Sequence, residues 1–188
     1  MLLNKLFKEV PELRTERLIL RKSDQSDAQD LMEFFSDPDV LKYYNLEPIK
    51  TIEEIKGLIK DTEQSFRDCK AIRWGIYWRE ADKLIGTCGF HNIDEESSKL
   101  EVGFELSQSF WGKGIMKEAV EQILQFAFEE IEVNRVEALV EPGNIASQKL
   151  LEKMYFTREG LLREYKFNKG RFRDLVISAL LKSDYYST

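Results

Sequence analysis

The chain has 188 residues, 43% hydrophobic and 33% charged, with a formal net charge of −6. That length suits one domain burying roughly 70% of the surface its unfolded chain exposes. The acidic balance argues against a general nucleic-acid binder, which carries a basic excess. Cys69 and Cys88 are too few and too far apart for a disulfide framework or a thiolate metal site. They read as buried thiols in a reducing compartment, and no metal is expected. Residues 1–9 hold no apolar run of signal-peptide length, and no stretch approaches the ~20 apolar residues of a membrane span. The expectation is a cytoplasmic monomer or homodimer with no membrane partner and no direct contact with nucleic acid.

In chain order, Arg17-Leu18-Ile19-Leu20-Arg21 is strand-like, and Ser23 or Asp24 can cap a helix over 25–36 that Asp37-Pro38 stops. Thr51-Ile52-Glu53-Glu54 has capping-box spacing and opens a helix to about residue 67. Strands are predicted over 71–79 and 84–92, separated by the charged turn Glu80-Ala81-Asp82-Lys83. In the next strand Leu100, Val102, Phe104 and Leu106 alternate with Glu101, Gly103 and Glu105, giving one greasy face and one for water or function. The helix predicted over 114–130 stacks Ile115/Met116, Ala119/Val120, Ile123/Leu124 and Ala127/Phe128 in one stripe. A buried strand over 135–140, a Pro142-Gly143 turn and a helix over 144–154 follow. A hairpin turning at Asn168-Lys169-Gly170 ends the pattern. These elements describe one mixed α+β domain over 1–188. It has a central, mostly antiparallel sheet of about seven strands with about four flanking helices.

The most informative stretch runs Glu101-Val102-Gly103-Phe104-Glu105-Leu106-Ser107-Gln108-Ser109-Phe110-Trp111-Gly112-Lys113-Gly114-Ile115. It is a strand, a loop with two glycines and the start of a helix, so it presents free backbone N–H groups where the helix dipole favours an anion. One strand later comes Asn144-Ile145-Ala146-Ser147, the start of another helix. Trp111-Gly112-Lys113-Gly114, the downstream Glu118-Ala119 and this Asn-x-x-Ser helix together resemble the GNAT (Gcn5-related) N-acetyltransferases. Thr15-Glu16-Arg17-Leu18-Ile19-Leu20-Arg21 and Glu101-Val102-Gly103-Phe104 resemble the Rim-type branch, whose best-known members acetylate N-terminal amines of ribosomal proteins. The likeness spans residues 15–181. Two positions depart from the pattern: Ser109 stands where Arg or Gln precedes the first glycine, and Lys153-Met154-Tyr155-Phe156 replaces a Lys-x-Gly-Phe ending. The second departure predicts a different helix ending, because Tyr tolerates a left-handed backbone poorly.

The resemblance implies acetyl-CoA as co-substrate, lying where the strands 101–107 and 135–140 splay apart. Backbone N–H groups of Gly112, Lys113, Gly114 and Ile115, beside Trp111, are then expected to hold the pyrophosphate. The edge of Phe104-Glu105-Leu106 is expected to pair with the pantetheine arm. Asn144 is placed as a helix N-cap that also bonds the arm. Ser147, near the third residue of that helix, is the expected hydrogen-bond donor to the leaving sulfur. Many GNAT enzymes put a tyrosine four residues later, and here that position is Leu151.

The acceptor is a primary amine that must shed a proton. An α-amine of pKa near 7.8 is roughly a tenth neutral at pH 7, whereas a lysine near 10.4 is neutral about 0.04% of the time. An α-amine therefore asks less of a base by about 3.5 kcal/mol. Glu164, at the place of the branch's proposed base, and Glu101 are the candidates. Tyr43 and Tyr44, in the loop between the first two long helices, are expected to wall the acceptor site together with His91. The aromatic side chains Trp74 and Trp111 read as core or binding surface, and Lys166, Lys169, Arg171 and Arg173 as a solvated basic face. Two alternatives remain open from sequence: a small-molecule amine as acceptor, and an acyl-CoA-binding module that has lost the chemistry.

Overall fold

A computed structural model describes residues 2–187. Helix α1 (Leu2–Leu6) inserts Leu2 and Leu6 into the core. Strands β1 (Leu13–Arg14) and β2 (Leu18–Arg21) follow. A 3-10 turn, Gln25–Asp27, then leads into α2 (Ala28–Phe35). Asp24 is the cap: its carboxylate accepts from Ser26 N–H at 2.7 Å while Asp27 returns the bond to Asp24 N–H at 2.8 Å. Helix α3 (Ile52–Arg67) starts at Thr51, whose hydroxyl accepts from Glu54 N–H, and it buries Ile55 and Ile59.

Next come β3 (Ile72–Trp78), β4 (Lys83–Asp94) and β5 (Lys99–Leu106). Helix α4 (Ile115–Gln125) continues as a π turn, Phe126–Ile131, ended by Glu132 at φ +65°. Strand β6 (Arg135–Val140), helix α5 (Ile145–Lys153), strands β7 (Thr157–Asn168) and β8 (Arg171–Leu181), and helix α6 (Lys182–Tyr185) complete the chain. The β7–β8 hairpin turns on Lys169 and Gly170, both at positive φ, the backbone a tight two-residue turn needs.

The eight strands form one sheet in the order β1-β2-β3-β4-β5-β6-β8-β7. Every pairing is antiparallel except β5 with β6. Helix α4 covers one face, where Ala119, Val120 and Ile123 pack with Trp74, Phe90, Phe126 and Phe128. Helices α2 and α3 cover the other, where Phe34, Phe35, Ile55 and Ile59 pack with Tyr77 and Leu84. Alternation along β3 and β4 sends successive side chains to these opposite layers. Among the described residues no helix is long and apolar enough to cross a membrane.

The sequence reading of a mixed, mostly antiparallel α+β domain holds, with additions. The extra strand is β1, two residues long, and the extra helices are α1 and α6, of five and four residues. Pieces this short carry no period to read. Two expectations are corrected. Cys69 is exposed rather than buried, because it sits just past the end of α3 at φ +56°. There Cys69 N–H bonds Phe66 O and Lys70 N–H bonds Ser65 O, a Schellman ending. Tyr155 does take the left-handed backbone, at φ +64°. Tyr155 N–H to Glu152 O and Phe156 N–H to Leu151 O make the same ending for α5, with tyrosine where glycine is the usual choice.

Candidate active site

The parallel contact between β5 and β6 is short. Lys99, Leu100 and Glu101 pair with Arg135, Val136 and Glu137, and beyond that point the two strands separate. Strand β5 stays bonded to β4 along its whole other edge, from Glu101 to Leu106. Ser107 N–H donates to Ile85 O on the β4 side at 2.8 Å. Backbone groups alternate along a strand, so those of Leu106, Phe104 and Val102 face the gap left by β6. The Leu106 carbonyl is taken by Trp111 Nε1 at 2.8 Å. The opening is therefore an unpaired strand edge inside a sheet.

At the C-terminal end of that edge lies the glycine loop. Gly112 and Gly114 stand at φ +72° and +74°, and a Cβ built on Gly112 would meet nothing within 4 Å. The glycines thus serve the backbone's path, not close packing within the protein. The first backbone bond of α4 is Glu118 N–H to Gly114 O, which leaves the preceding N–H groups without an intrahelical acceptor. Arg17 braces the loop by donating from Nη1 to Lys113 O at 3.1 Å. Glu118 in turn accepts from Arg17 Nε at 2.7 Å, from Arg17 N–H at 3.0 Å and from Thr15 Oγ1 at 2.5 Å. Burial raises the Glu118 carboxyl, but these hydrogen bonds outweigh it and hold the group below the usual carboxylate range.

The opening widens into a cleft of about 660 Å³ bounded by β3, β4, β5, β6, β7, β8, α3, α5 and the 40–45 loop. Phe104 and Glu105 line it from β5, and Asn144 and Ser147 from α5. Asn144 Oδ1 caps α5 by accepting from Ser147 N–H at 3.2 Å, which commits the serine's main chain and leaves its hydroxyl for the cleft. Leu151, one turn further, is buried in the core.

Tyr43 lies at the rim with its hydroxyl on Gly143 O at 2.8 Å. Lys169 Nζ holds the same loop by donating to Leu41 O at 2.9 Å. On the floor, Arg73 bonds Thr87 Oγ1 at 2.9 Å and pairs with Glu105, whose Oε2 also accepts from Thr87 at 2.7 Å. Glu105 is only 6% exposed, and its Oε1 has no hydrogen-bond partner of ordinary geometry among the described residues. The charge of Glu105, partly offset by Arg73, pushes the neighbouring Tyr44 phenol up to about 12. Further along, His91 Nε2 lies 3.3 Å from Glu101 Oε1, and Asn92 Nδ2 donates to Glu101 Oε2 at 2.7 Å.

A model of the acetyltransferase (GNAT) domain matches residues 17–157. The chain belongs to the GNAT acetyltransferase family. It is 42% identical over 173 residues, covering 92% of this chain and 97% of the other, to p20 of Bacillus licheniformis, an uncharacterized N-acetyltransferase. It is 25% identical over 190 residues, with 94% of each covered, to the [ribosomal protein uS5]-alanine N-acetyltransferase of Escherichia coli K12. Its fold matches that of RimL, the ribosomal L7/L12 α-N-protein acetyltransferase solved in complex with coenzyme A, at a TM-score of 0.82. Identity there is 20%, with 93% of this chain and 99% of that one covered.

In this GNAT acetyltransferase the cleft gathers Tyr43, Tyr44, His91, Glu101, Phe104, Glu105, Asn144 and Ser147. Trp111, Gly112, Lys113, Gly114 and Ile115 form the separate loop at the end of the opening, and the Trp111 indole binds it back to β5. Glu164 is not brought to the cleft. It sits exposed at φ +50° where β7 bulges against β8 between Leu162 and Lys166, and its N–H bonds Asp174. The basic hairpin is less solvated than its composition suggests, since Arg173 pairs with Glu141 at 3.4 Å and Lys169 holds the 41–44 loop. Trp74 is core, with its Nε1 on Pro11 O at 2.8 Å. Sequence reasoning missed Arg73 and Asn92 in the cleft, the buried Thr87 that Arg73 and Glu105 share, and the Arg17–Glu118 brace.

Proposed function

We propose that the protein is an acetyl-CoA-dependent N-acetyltransferase acting on a primary amine. The observation that carries this reading is the unpaired edge of β5 running straight into the glycine loop. An extended arm can add to such an edge as a strand does, while a diphosphate meets the open N–H groups at the start of α4. When bound there, acetyl-CoA supplies an acyl carbon already activated as a thioester.

The protein's own part is binding, orientation and proton handling. Backbone N–H groups from Gly112 to Ile115 hold the diphosphate, and Val102 and Phe104 offer main-chain partners to the arm. Asn144 orients α5 so that Ser147 points its hydroxyl into the cleft as a donor to the departing sulfur. Tyr43, Tyr44 and His91 wall the acceptor end. Of the two carboxylates considered for the proton, Glu101 lines the cleft and Glu164 does not. An N-terminal α-amine is the favoured acceptor, because it needs least help to become neutral. The [ribosomal protein uS5]-alanine acetyltransferase among its relatives is named for a substrate of that class.

A second reading, a coenzyme-binding module without turnover, is favoured by one observation. Leu151 is 2% exposed in the core at the place where many GNAT enzymes put a tyrosine to protonate the leaving thiol. Thiol release from acetyl-CoA in the presence of Ala- and Ser-initiated peptides, amino sugars and polyamines separates the two. Turnover on one class supports transfer, while tight coenzyme binding by calorimetry with no turnover on any amine selects the second reading. Replacing Gly112 and Gly114 together by alanine is expected to remove coenzyme affinity, and unchanged affinity would refute the loop's role.

A further inference from the structure

We propose that His91 is the group that takes the proton from the acceptor ammonium, with Glu101 a positioning residue that holds its ring. This rests on the acetyl-transfer reading above and adds a residue-level assignment to it. His91 of β4 and Glu101 of β5 are direct cross-strand partners. Glu101 is clamped from two sides, by His91 Nε2 at 3.3 Å and by Asn92 Nδ2 at 2.7 Å. Nε2 is the ring nitrogen nearer the carboxylate, so the tautomer this pairing favours carries its proton there and leaves the lone pair on Nδ1. That nitrogen lies over Gly103: a Cβ there would stand 3.6 Å from Nδ1 and 3.2 Å from Cε1. A side chain at residue 103 would crowd the imidazole, since 3.2 Å is closer than ordinary van der Waals contact.

The pair's place along the opening gives it a role. Glu101 is the last residue of β5 bonded to β6, so His91 and Glu101 stand at the apex where the two strands part. From Leu106, beside the glycine loop, back to Glu101 is about 17 Å at the rise of an extended strand. An arm anchored by its diphosphate at the loop and laid along that edge brings its far, reactive end to the apex. The charged groups facing the imidazole there are Glu101 from β5 and Arg73 from β3, whose Nη1 would be 3.8 Å from the same Gly103 Cβ. Lys166 of β7 and Asp61 of α3 line the same cleft.

Glu101 itself is poorly suited to accept the proton. Burial raises its carboxyl, but the bonds from His91 and Asn92 outweigh that and keep it below the usual range, so both oxygens are engaged and weakly basic. Its fixed charge instead stabilises the imidazolium that forms when His91 takes a proton, the part a carboxylate plays beside a catalytic histidine. The ammonium gives one proton to Nδ1, and the imidazolium later passes it to water. The freed nitrogen bonds to the acyl carbon as the carbon–sulfur bond breaks. Of its two remaining protons, one stays with the amide and the other goes to the sulfur.

His91 is the sole histidine, so its ring nitrogens give unambiguous NMR signals. In the free wild-type protein, long-range proton–nitrogen correlation is expected to show the Nε2–H tautomer, lost to a mixture in Glu101→Gln. A dominant Nδ1–H tautomer would overturn the assignment with no assay of activity. In turnover at pH 7 with acetyl-CoA and an Ala-initiated peptide, whose α-amine is only about a tenth neutral, His91→Gln is expected to lose up to about tenfold in rate. Coenzyme affinity by calorimetry should stay unchanged, and the rate of the variant should follow the ionisation of the acceptor amine alone, rising through its pKa near 7.8. The defect should shrink strongly with 2,2,2-trifluoroethylamine, which is already neutral at assay pH. Full activity of His91→Gln, or an equal loss on both acceptors, overturns the role of His91 while acetyl transfer stands. Absence of wild-type turnover on every amine overturns both.

Discussion

Removing the Glu118 carboxylate should reveal how firmly the glycine loop is braced from outside itself. Glu118 accepts from Thr15 Oγ1 at 2.5 Å, from Arg17 N–H at 3.0 Å and from the Arg17 guanidinium at 2.7 and 2.6 Å. Its side chain is 19% exposed, but that of Arg17 is 37% exposed, so the guanidinium's share is screened by water. Counting about 1 kcal/mol for each of three linkages, Glu118→Ala should cost about 3 kcal/mol. For a chain of this length that is a fall in Tm of about 6–12 °C by calorimetry. A double-mutant cycle with Arg17→Ala should return a coupling of about 1 kcal/mol. Arg17 also holds Lys113 O, so coenzyme affinity should drop with either single change.

The pH dependence has a definite sign. The folded Glu118 carboxyl is held below its ordinary value. Its contribution is therefore present above about pH 4.3 and lost as pH falls through the depressed folded value. Glu118→Ala should lose that acid-side slope. Additive single changes, within about 0.3 kcal/mol, with coenzyme affinity intact would show that no brace exists.

Tyr155→Gly should stabilise the protein: relief of a left-handed tyrosine, about 1–2 kcal/mol, exceeds the entropy that glycine adds to the unfolded chain, about 0.4–1 kcal/mol. Thermal melting should show a rise of a few degrees, and a fall would contradict the strain. Arg73→Met should cost about 3–5 kcal/mol in denaturant titration, because Glu105 is then left buried and unpaired. The double change Arg73→Met with Glu105→Met should cost less than Arg73→Met alone, and a larger loss would mean the pair is not what sets the penalty. Ellman's reagent should find one fast thiol in the native protein, Cys69, and a second only after unfolding. Burial pushes the Cys88 thiol up to about 12, and two fast thiols would place Cys88 at the surface.

What the sequence made legible is what is local. Thr51 and Asn144 cap the helices that their spacing announces, and the two glycines mark a loop whose backbone needs positive φ. The α4 stripe also reads off directly, since a helix shows its buried face every third or fourth residue. The cleft was less legible because its floor is assembled across strands. Arg73, Thr87 and Glu105 come from three different strands, and only the registers of β3 with β4 and β4 with β5 bring them together. The His91–Glu101 pair did carry a signal. Folding a hairpin about the 94–98 turn sets residue 91 opposite 101, and an imidazole facing a carboxylate is worth noticing. Arg17 with Glu118 carried none, being 101 positions apart. Glu164 was read from the likeness to the Rim-type branch, and its exposed place follows from a feature no pattern announces: three residues of β7 bulge opposite one of β8.

The parting of β5 from β6 has a further consequence for what the molecule admits. A free strand edge at a sheet's margin invites any passing extended chain, and proteins blunt such margins with charge, proline or cover. Here the bare hydrogen-bonding groups lie in mid-sheet, flanked by a neighbour on each side and roofed by helices, so no foreign sheet can dock. Only a slender, flexible guest, about as thick as a backbone stripped of side chains, can thread the slit lengthwise. The slit thus screens by girth before any residue reads chemistry.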